Sequence, residues 1–359
     1  MKKFSFFALV AVMGAMLVSG CFGFESEMKG KESFLHLDIE QRLQLAEEYS
    51  VVKELHDGRA IVKLGEKYGY IDANGEEVIP CILDDVWEFS DGLAAFGYEG
   101  VYGYMDKNGE PMFVCTYDRF SDFSEGMASV ENNGKFGFID KTGEEVIPCI
   151  YDCAWEFLEG NAAVCLNGKW GFVDKTGEYV IPSIYDYALS FCDGLACVKY
   201  GGKWGFIDKN GESRIPFVFD GATNFSEGLA VVVIDGEWGY IDKTGELAIP
   251  YVYDKAKDFK EGRAAVFVDG KWGFIDKNGN DKVAFRYDKV ADFEDGLALV
   301  ELNGKLGFVN RYGREVIDIV YDNLIPGPMP LNIILLEKKN RRGESVLHCY
   351  DWDGNLLEL

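Results

Sequence analysis

Residues 167–177 read Asn167-Gly168-Lys169-Trp170-Gly171-Phe172-Val173-Asp174-Lys175-Thr176-Gly177. This is a short strand between two turns. Side chains alternate along a strand, so Trp170 and Phe172 share one face and Gly171 takes the other. An Asp at the first turn position accepts backbone N–H groups, and Gly at the fourth takes a positive φ. The glycine of the tryptophan-glycine pair recurs every 34 residues, at Gly69, Gly103, Gly137, Gly171, Gly205, Gly239, Gly273 and Gly307. The residues before it are Tyr68, Tyr102, Phe136, Trp170, Trp204, Trp238, Trp272 and Leu306. A fixed period of this length is the signature of a repeat architecture.

Other columns keep the same register. Asp84, Asp118, Asp152, Asp186, Asp220, Asp254, Asp288 and Asp322 form one. Asp72, Asp106, Asp140, Asp174, Asp208, Asp242 and Asp276 form another. Counted from Tyr49, units start at 49, 83, 117, 151, 185, 219, 253, 287 and 321. The ninth carries seven extra residues ahead of its own Asp351-x-x-Gly354.

Within a unit, Leu195–Lys199 is a strand, Gly201-Gly202 a turn, and Lys203–Asp208 a return strand. A further strand near Arg214-Ile215-Pro216 ends at a proline, which cannot donate to a ladder. The segment Tyr-Asp-x-Ala-x-x-Phe is either a bulged strand or one helical turn. Strands of this length with regular turns give an all-β fold of tandem antiparallel hairpin or meander repeats. One 34-residue unit cannot bury its own apolar face, so stability comes from contacts between units. A propeller blade typically needs about 40 or more residues. Both ends of the array depart from the pattern, as terminal caps do. The expectation is therefore an open curved or superhelical array, with a closed propeller-like ring as the alternative.

The pattern resembles the WG-repeat family over about residues 49–323, with a poorer fit in the last unit. That resemblance implies an exported bacterial repeat protein and supplies no catalytic residues. A weaker similarity in style is to the aromatic-glycine repeats of cell-wall-binding proteins.

The N-terminus reads as an address. Met1-Lys2-Lys3 precedes an apolar and small-residue run from Phe4 to Val18, then Ser19-Gly20-Cys21. This is a secretory signal over residues 1–20, and Val18-Ser19-Gly20-Cys21 resembles the bacterial lipoprotein box. Cys21 would then carry a lipid anchoring the chain to the membrane at the cell envelope or surface. Residues 21–38 form a tether, and Asp38 with Gln41 makes a capping box for a helix over 39–48 that covers the first unit.

Composition bears on partners. With 61 acidic and 36 basic side chains the net charge is −25, and loss of Lys2 and Lys3 with the signal takes it to −27. Nucleic acid, which needs a basic footprint, is excluded as a partner. Three histidines leave little material for zinc or histidine-based catalysis, and no phosphate-binding loop or serine elbow is present.

A residue in every unit does a structural job, whereas a site breaks the pattern. The aspartate columns read as turn formers. Calcium at the Asp-x-x-Gly turns is the alternative, against which the loops lack EF-hand spacing. Cys149 with Cys153 and Cys192 with Cys197 are close enough in sequence for local bridges, though small-residue packing explains the cysteines equally. Trp170, Trp204, Trp238 and Trp272, with Gly171, Gly205, Gly239 and Gly273, read as structural columns. Trp87 and Trp155 break theirs, which otherwise holds Ser121, Leu189, Thr223, Lys257 and Ala291. They are the candidate stacking platforms, set against a packing role. The expected function is a non-catalytic binding or scaffold surface, without cofactor or metal. Its partner would be a polysaccharide, peptidoglycan or a protein. The alternatives are a glycan-active hydrolase or lyase and a purely structural spacer.

Overall fold

A computed structural model describes residues 34–325 and 331–357. The signal segment and Cys21 lie outside the described residues. Each of the nine repeats forms one four-stranded antiparallel sheet with its strands in chain order. In the fifth these are Tyr187–Cys192, Leu195–Tyr200, Lys203–Asp208 and Ser213–Phe219. Here the ambiguous segment is a bulged first strand, with the pairing shifting between Ala188 and Phe191. In the second, third, sixth, seventh and eighth repeats a two-residue strand is followed instead by a single bridge, such as Ser226 to Leu229. Four strands fit into 34 residues because the first two hairpin turns of a regular repeat are only two residues long. At Asn167-Gly168 both residues have positive φ, 55° and 76°. That geometry follows the strand twist and wastes no chain.

The chain is a nine-bladed β-propeller, the closed alternative and not the open array. The unusual ends are not caps on a free stack. Contacts divide the chain into two compact units, one of residues up to Ile184 together with the segment ending at Ile333, the other of Tyr185–Ile325 and Ile334 onward. In the first unit the N-terminal and ninth-repeat segments meet, Arg42 donating from its guanidinium to the Leu331 carbonyl at 3.2 Å.

In six blades the aromatic ring two residues past the third-strand tryptophan position lies against a ring of the following blade. Tyr104 meets Phe123 at 4.9 Å and Phe138 meets Phe157 at 4.8 Å in one unit. Phe206 meets Phe225 at 4.9 Å and Phe274 meets Phe293 at 4.7 Å in the other. These rings are buried and centre the core clusters between blades. The helix Ile39–Glu48 has Asp38 and Gln41 in a reciprocal capping box. Its Leu45 lies against Gly75, the place that Ile79 takes at Gly109 and Ile147 at Gly177. The helix thus stands in for the fourth strand of a preceding blade. Among the described residues no helix is long and apolar enough to cross a membrane.

Candidate functional site

The repeated polar side chains are committed to architecture. Asp152 lies in the connection between blades, where it accepts from Lys135 Nζ of the preceding repeat at 2.5 Å and from the Asn167 N–H at 2.6 Å. Asp220 repeats this with Lys203 at 2.6 Å and the Asp235 N–H at 2.9 Å. The lysine bond leads in holding both carboxyls below the usual range. Asp174 closes its own turn, accepting from the Thr176 and Glu178 N–H groups at 2.9 and 3.1 Å and from the Thr176 hydroxyl at 2.6 Å. Asp208, Asp242 and Asp276 bind their turns likewise. Among the described residues no group of three or more acidic, histidine or cysteine side chains is placed to hold a metal ion.

A further acidic column, at the first hairpin turn, latches blades to their successors within each unit. Glu227 accepts from the Gly262 N–H at 3.0 Å and pairs with Lys277 at 3.0 Å. Glu125 does so with Gly160 and Lys175 at 2.9 and 3.3 Å, and Glu261 with Gly296 and Arg311 at 2.9 and 3.0 Å.

The third-strand glycines are explained by close approach. A Cβ on Gly171 would lie 2.6 Å from both the Ile181 carbonyl oxygen and the Ser183 nitrogen. Gly205, Gly239 and Gly273 face the corresponding fourth-strand carbonyl at 2.7–2.8 Å. The tryptophan column is less uniform. Trp170 is buried, while Trp204, Trp238 and Trp272 are half-buried at the rims of core clusters.

Trp87 and Trp155 are half-buried, Trp155 on the first strand of its blade and Trp87 just past the end of its own at Val86. Trp87 meets Phe120 edge-on at 5.3 Å and Tyr102 at 6.2 Å, and its carbonyl accepts the Tyr70 hydroxyl at 2.6 Å. Trp155 stacks on Trp170 at 5.8 Å and 17°. Each ring thus has an aromatic neighbour within its own unit. Beside Trp87 runs an acidic column, Glu88, Asp122 and Glu156. Burial, then the charges of Glu88 and Glu156, push the Asp122 carboxyl up to about 6. Cys149, Cys153 and Cys197 are free thiols, so neither close cysteine pair is bridged.

The pattern breaks most sharply in the last turns. The turn and the residue after it read Asp242-Lys243-Thr244-Gly245-Glu246 in one repeat but Asn310-Arg311-Tyr312-Gly313-Arg314 in the eighth. Arg314 replaces a glutamate present in the first six repeats, and Tyr312 is 82% exposed. In the ninth repeat Trp352 holds the place of the latch lysine. Its indole N–H donates to the Asp295 carbonyl at 3.0 Å, as Lys277 Nζ donates to the Glu227 carbonyl at 2.8 Å. Its ring stands 6.4 Å from Phe308. The ninth turn also seats differently from most. Gly354 packs on Val316, whereas Gly245 and Gly279 pack on Ile215 and Ile249, one column further along. A cavity of about 480 Å³ opens there, lined by Asp295, Asn310, Arg314, Trp352, Asp353 and Asn355 among others. Sequence reasoning missed this site. Asking which turn residues break their column would have found Arg314 and Trp352.

Solved structures are similar to this chain at low identity. The crystal structure of a eukaryotic initiation factor matches at 11% identity and a TM-score of 0.54, covering 84% of this chain and 96% of that one. Kluyveromyces lactis Hsv2 matches at 9% identity and a TM-score of 0.37 over 86% and 98% of the two chains. The extracellular domain of a putative one-component system from B. thetaiotaomicron matches at 10% and 0.33, over 86% and 53%. No curated protein matches the sequence. Seven consecutive family repeats match at 68–101, 102–136, 136–170, 170–204, 204–238, 238–272 and 272–305, and the chain belongs to the WG containing repeat family.

Proposed function

We propose that this is an exported lipoprotein, anchored through Cys21 at the bacterial envelope, whose propeller is a non-catalytic binding surface for polysaccharide, peptidoglycan or protein. The observation that carries the binding reading is the division of labour among polar residues. Column after column is used up in turns and inter-blade bonds, while Arg314 and Trp352, which break theirs, line one cavity. A rigid frame with a few convergent polar groups and an aromatic wall suits recognition. The anchor rests on Val18-Ser19-Gly20-Cys21 alone. Replacing Cys21→Ser is expected to move the protein from the membrane to the soluble fraction of its host. Unchanged membrane association would refute the anchor. For binding, the test is retention of the chain on insoluble cell-wall polysaccharide with no release of soluble sugar.

One observation favours the hydrolase reading. Asp122, raised to about 6 beside Glu88 and Glu156, has the tuning of a general acid. In that case reducing ends appear in the retention experiment, and Asp122→Asn abolishes them.

A further inference from the structure

We infer that the cavity between the eighth and ninth blades is a binding site for a neutral saccharide unit, with Trp352 as its stacking wall and Arg314 as its hydrogen-bond fork. This rests on the binding reading above and names its site and ligand class.

Shape comes first. The cavity, about 480 Å³, falls in the range of small-molecule sites and takes a mono- or disaccharide unit. The ninth turn seats on Val316, and Trp352 stands there in place of the latch lysine, so the seam is not closed by the usual basic–acid latch.

Lining chemistry comes second. Trp352 is held from two sides, by the Asp295 carbonyl and by the Phe308 ring, so its plane is fixed before a ligand arrives. A pre-set aromatic face suits the C–H surface of a pyranose ring. Arg314 is exposed and, among the described residues, in no ion pair. It offers a planar fork of donors that a pair of ring hydroxyls can accept. Asp353 supplies acceptors at the opposite turn. Donors and acceptors in one small cavity match hydroxyl groups, which are both at once.

Charge decides against an acidic sugar. Asp295 and Asp353 outnumber Arg314 in the lining, and the whole chain carries −25. A uronate would enter an unfavourable field. An apolar ligand is excluded by the number of polar groups it would leave unpaired.

The test titrates the full chain with cellotetraose, mannotetraose and tetra-N-acetylchitotetraose, reading intrinsic tryptophan fluorescence, with tetragalacturonic acid as the charged control. One neutral oligosaccharide is expected to give a saturable change. Trp352→Ala and, separately, Arg314→Glu should each weaken it by about tenfold or more. Arg314→Glu restores the residue of the first six repeats at an exposed position, so folding is preserved and an unchanged melting temperature verifies it. Binding that survives both variants would place the saccharide elsewhere and overturn this site while leaving the binding reading intact. Preference for tetragalacturonic acid would overturn the ligand class. If no oligosaccharide is bound but the chain is retained on cell-wall polysaccharide, the site is refuted alone. If neither occurs, the polysaccharide reading falls with it.

Discussion

Gly171 has no room for a methyl group, because strand four bulges toward it at Ile181-Pro182. The neighbours are backbone atoms, which cannot swing aside as a side chain can. Gly171→Ala is therefore expected to cost about 3 kcal/mol, measured as a shift in urea midpoint. Asp122 gives a second test at this scale. Its carboxyl titrates near 6 in the fold, above its unfolded value of about 4. Its protonated form is the favoured one, so its contribution is fully present below about pH 4 and is lost as pH rises through 6. Asp122→Asn should thus raise stability at pH 8 by on the order of 2 kcal/mol, with the gain vanishing at pH 4. A melting-temperature series from pH 4 to 8 reads this directly. A gain independent of pH would mean that burial of the carboxylate is not the cause. The turn aspartates were legible at this scale, since Asp174 binds the very N–H groups that its turn position implies. Trp87 and Trp155 were legible as exceptions but not in surroundings. Their ring partners Phe120 and Trp170 come from a neighbouring blade and from another strand of the same blade.

Among the elements, the first strand was hardest to read. In the fifth blade it carries a shift between Ala188 and Phe191, which scrambles the period-two alternation that marks a strand. The helix was readable from Asp38 and Gln41, whose reciprocal bonds are local, at 2.9 and 3.0 Å. Its role was only partly so. Leu45 fills the place of an absent isoleucine against Gly75, a contact 30 residues away. Leu45→Ala should cost about 2–3 kcal/mol. Hydrogen exchange in 39–48 should rise with little change in the third and fourth blades. Equal loosening throughout would show that the helix is no separate element.

For the whole molecule, the period fixed the repeats and the sheets but not the closure. Whether nine sheets form a stack or a ring depends on a small rotation added at each seam, which no local motif encodes. The contact that betrays closure, Arg42 to Leu331, joins residues 289 apart and uses a backbone acceptor with no sequence signature. Deleting 321–359 separates the two architectures. An open stack loses one repeat's interface and keeps cooperative folding of the rest. A propeller loses two seams and exposes two apolar blade faces, so the truncated chain should aggregate or melt without a cooperative transition in calorimetry.

The site at the last seam follows from the same regularity. The other latches pair an acid with a lysine or, at Glu261, an arginine; the one made by Trp352 stands apart, and the cavity beside it is a place where this molecule departs from its own repeats. The central claim is that the repeats build the frame and the exceptions bind. The most direct measurement is hydrogen exchange of the full chain with and without solubilised cell-wall polysaccharide. New protection is expected only at 295–297, 310–316 and 351–356. Protection spread evenly over equivalent turns of all the blades would contradict it, and so would protection centred on Trp87 and Trp155.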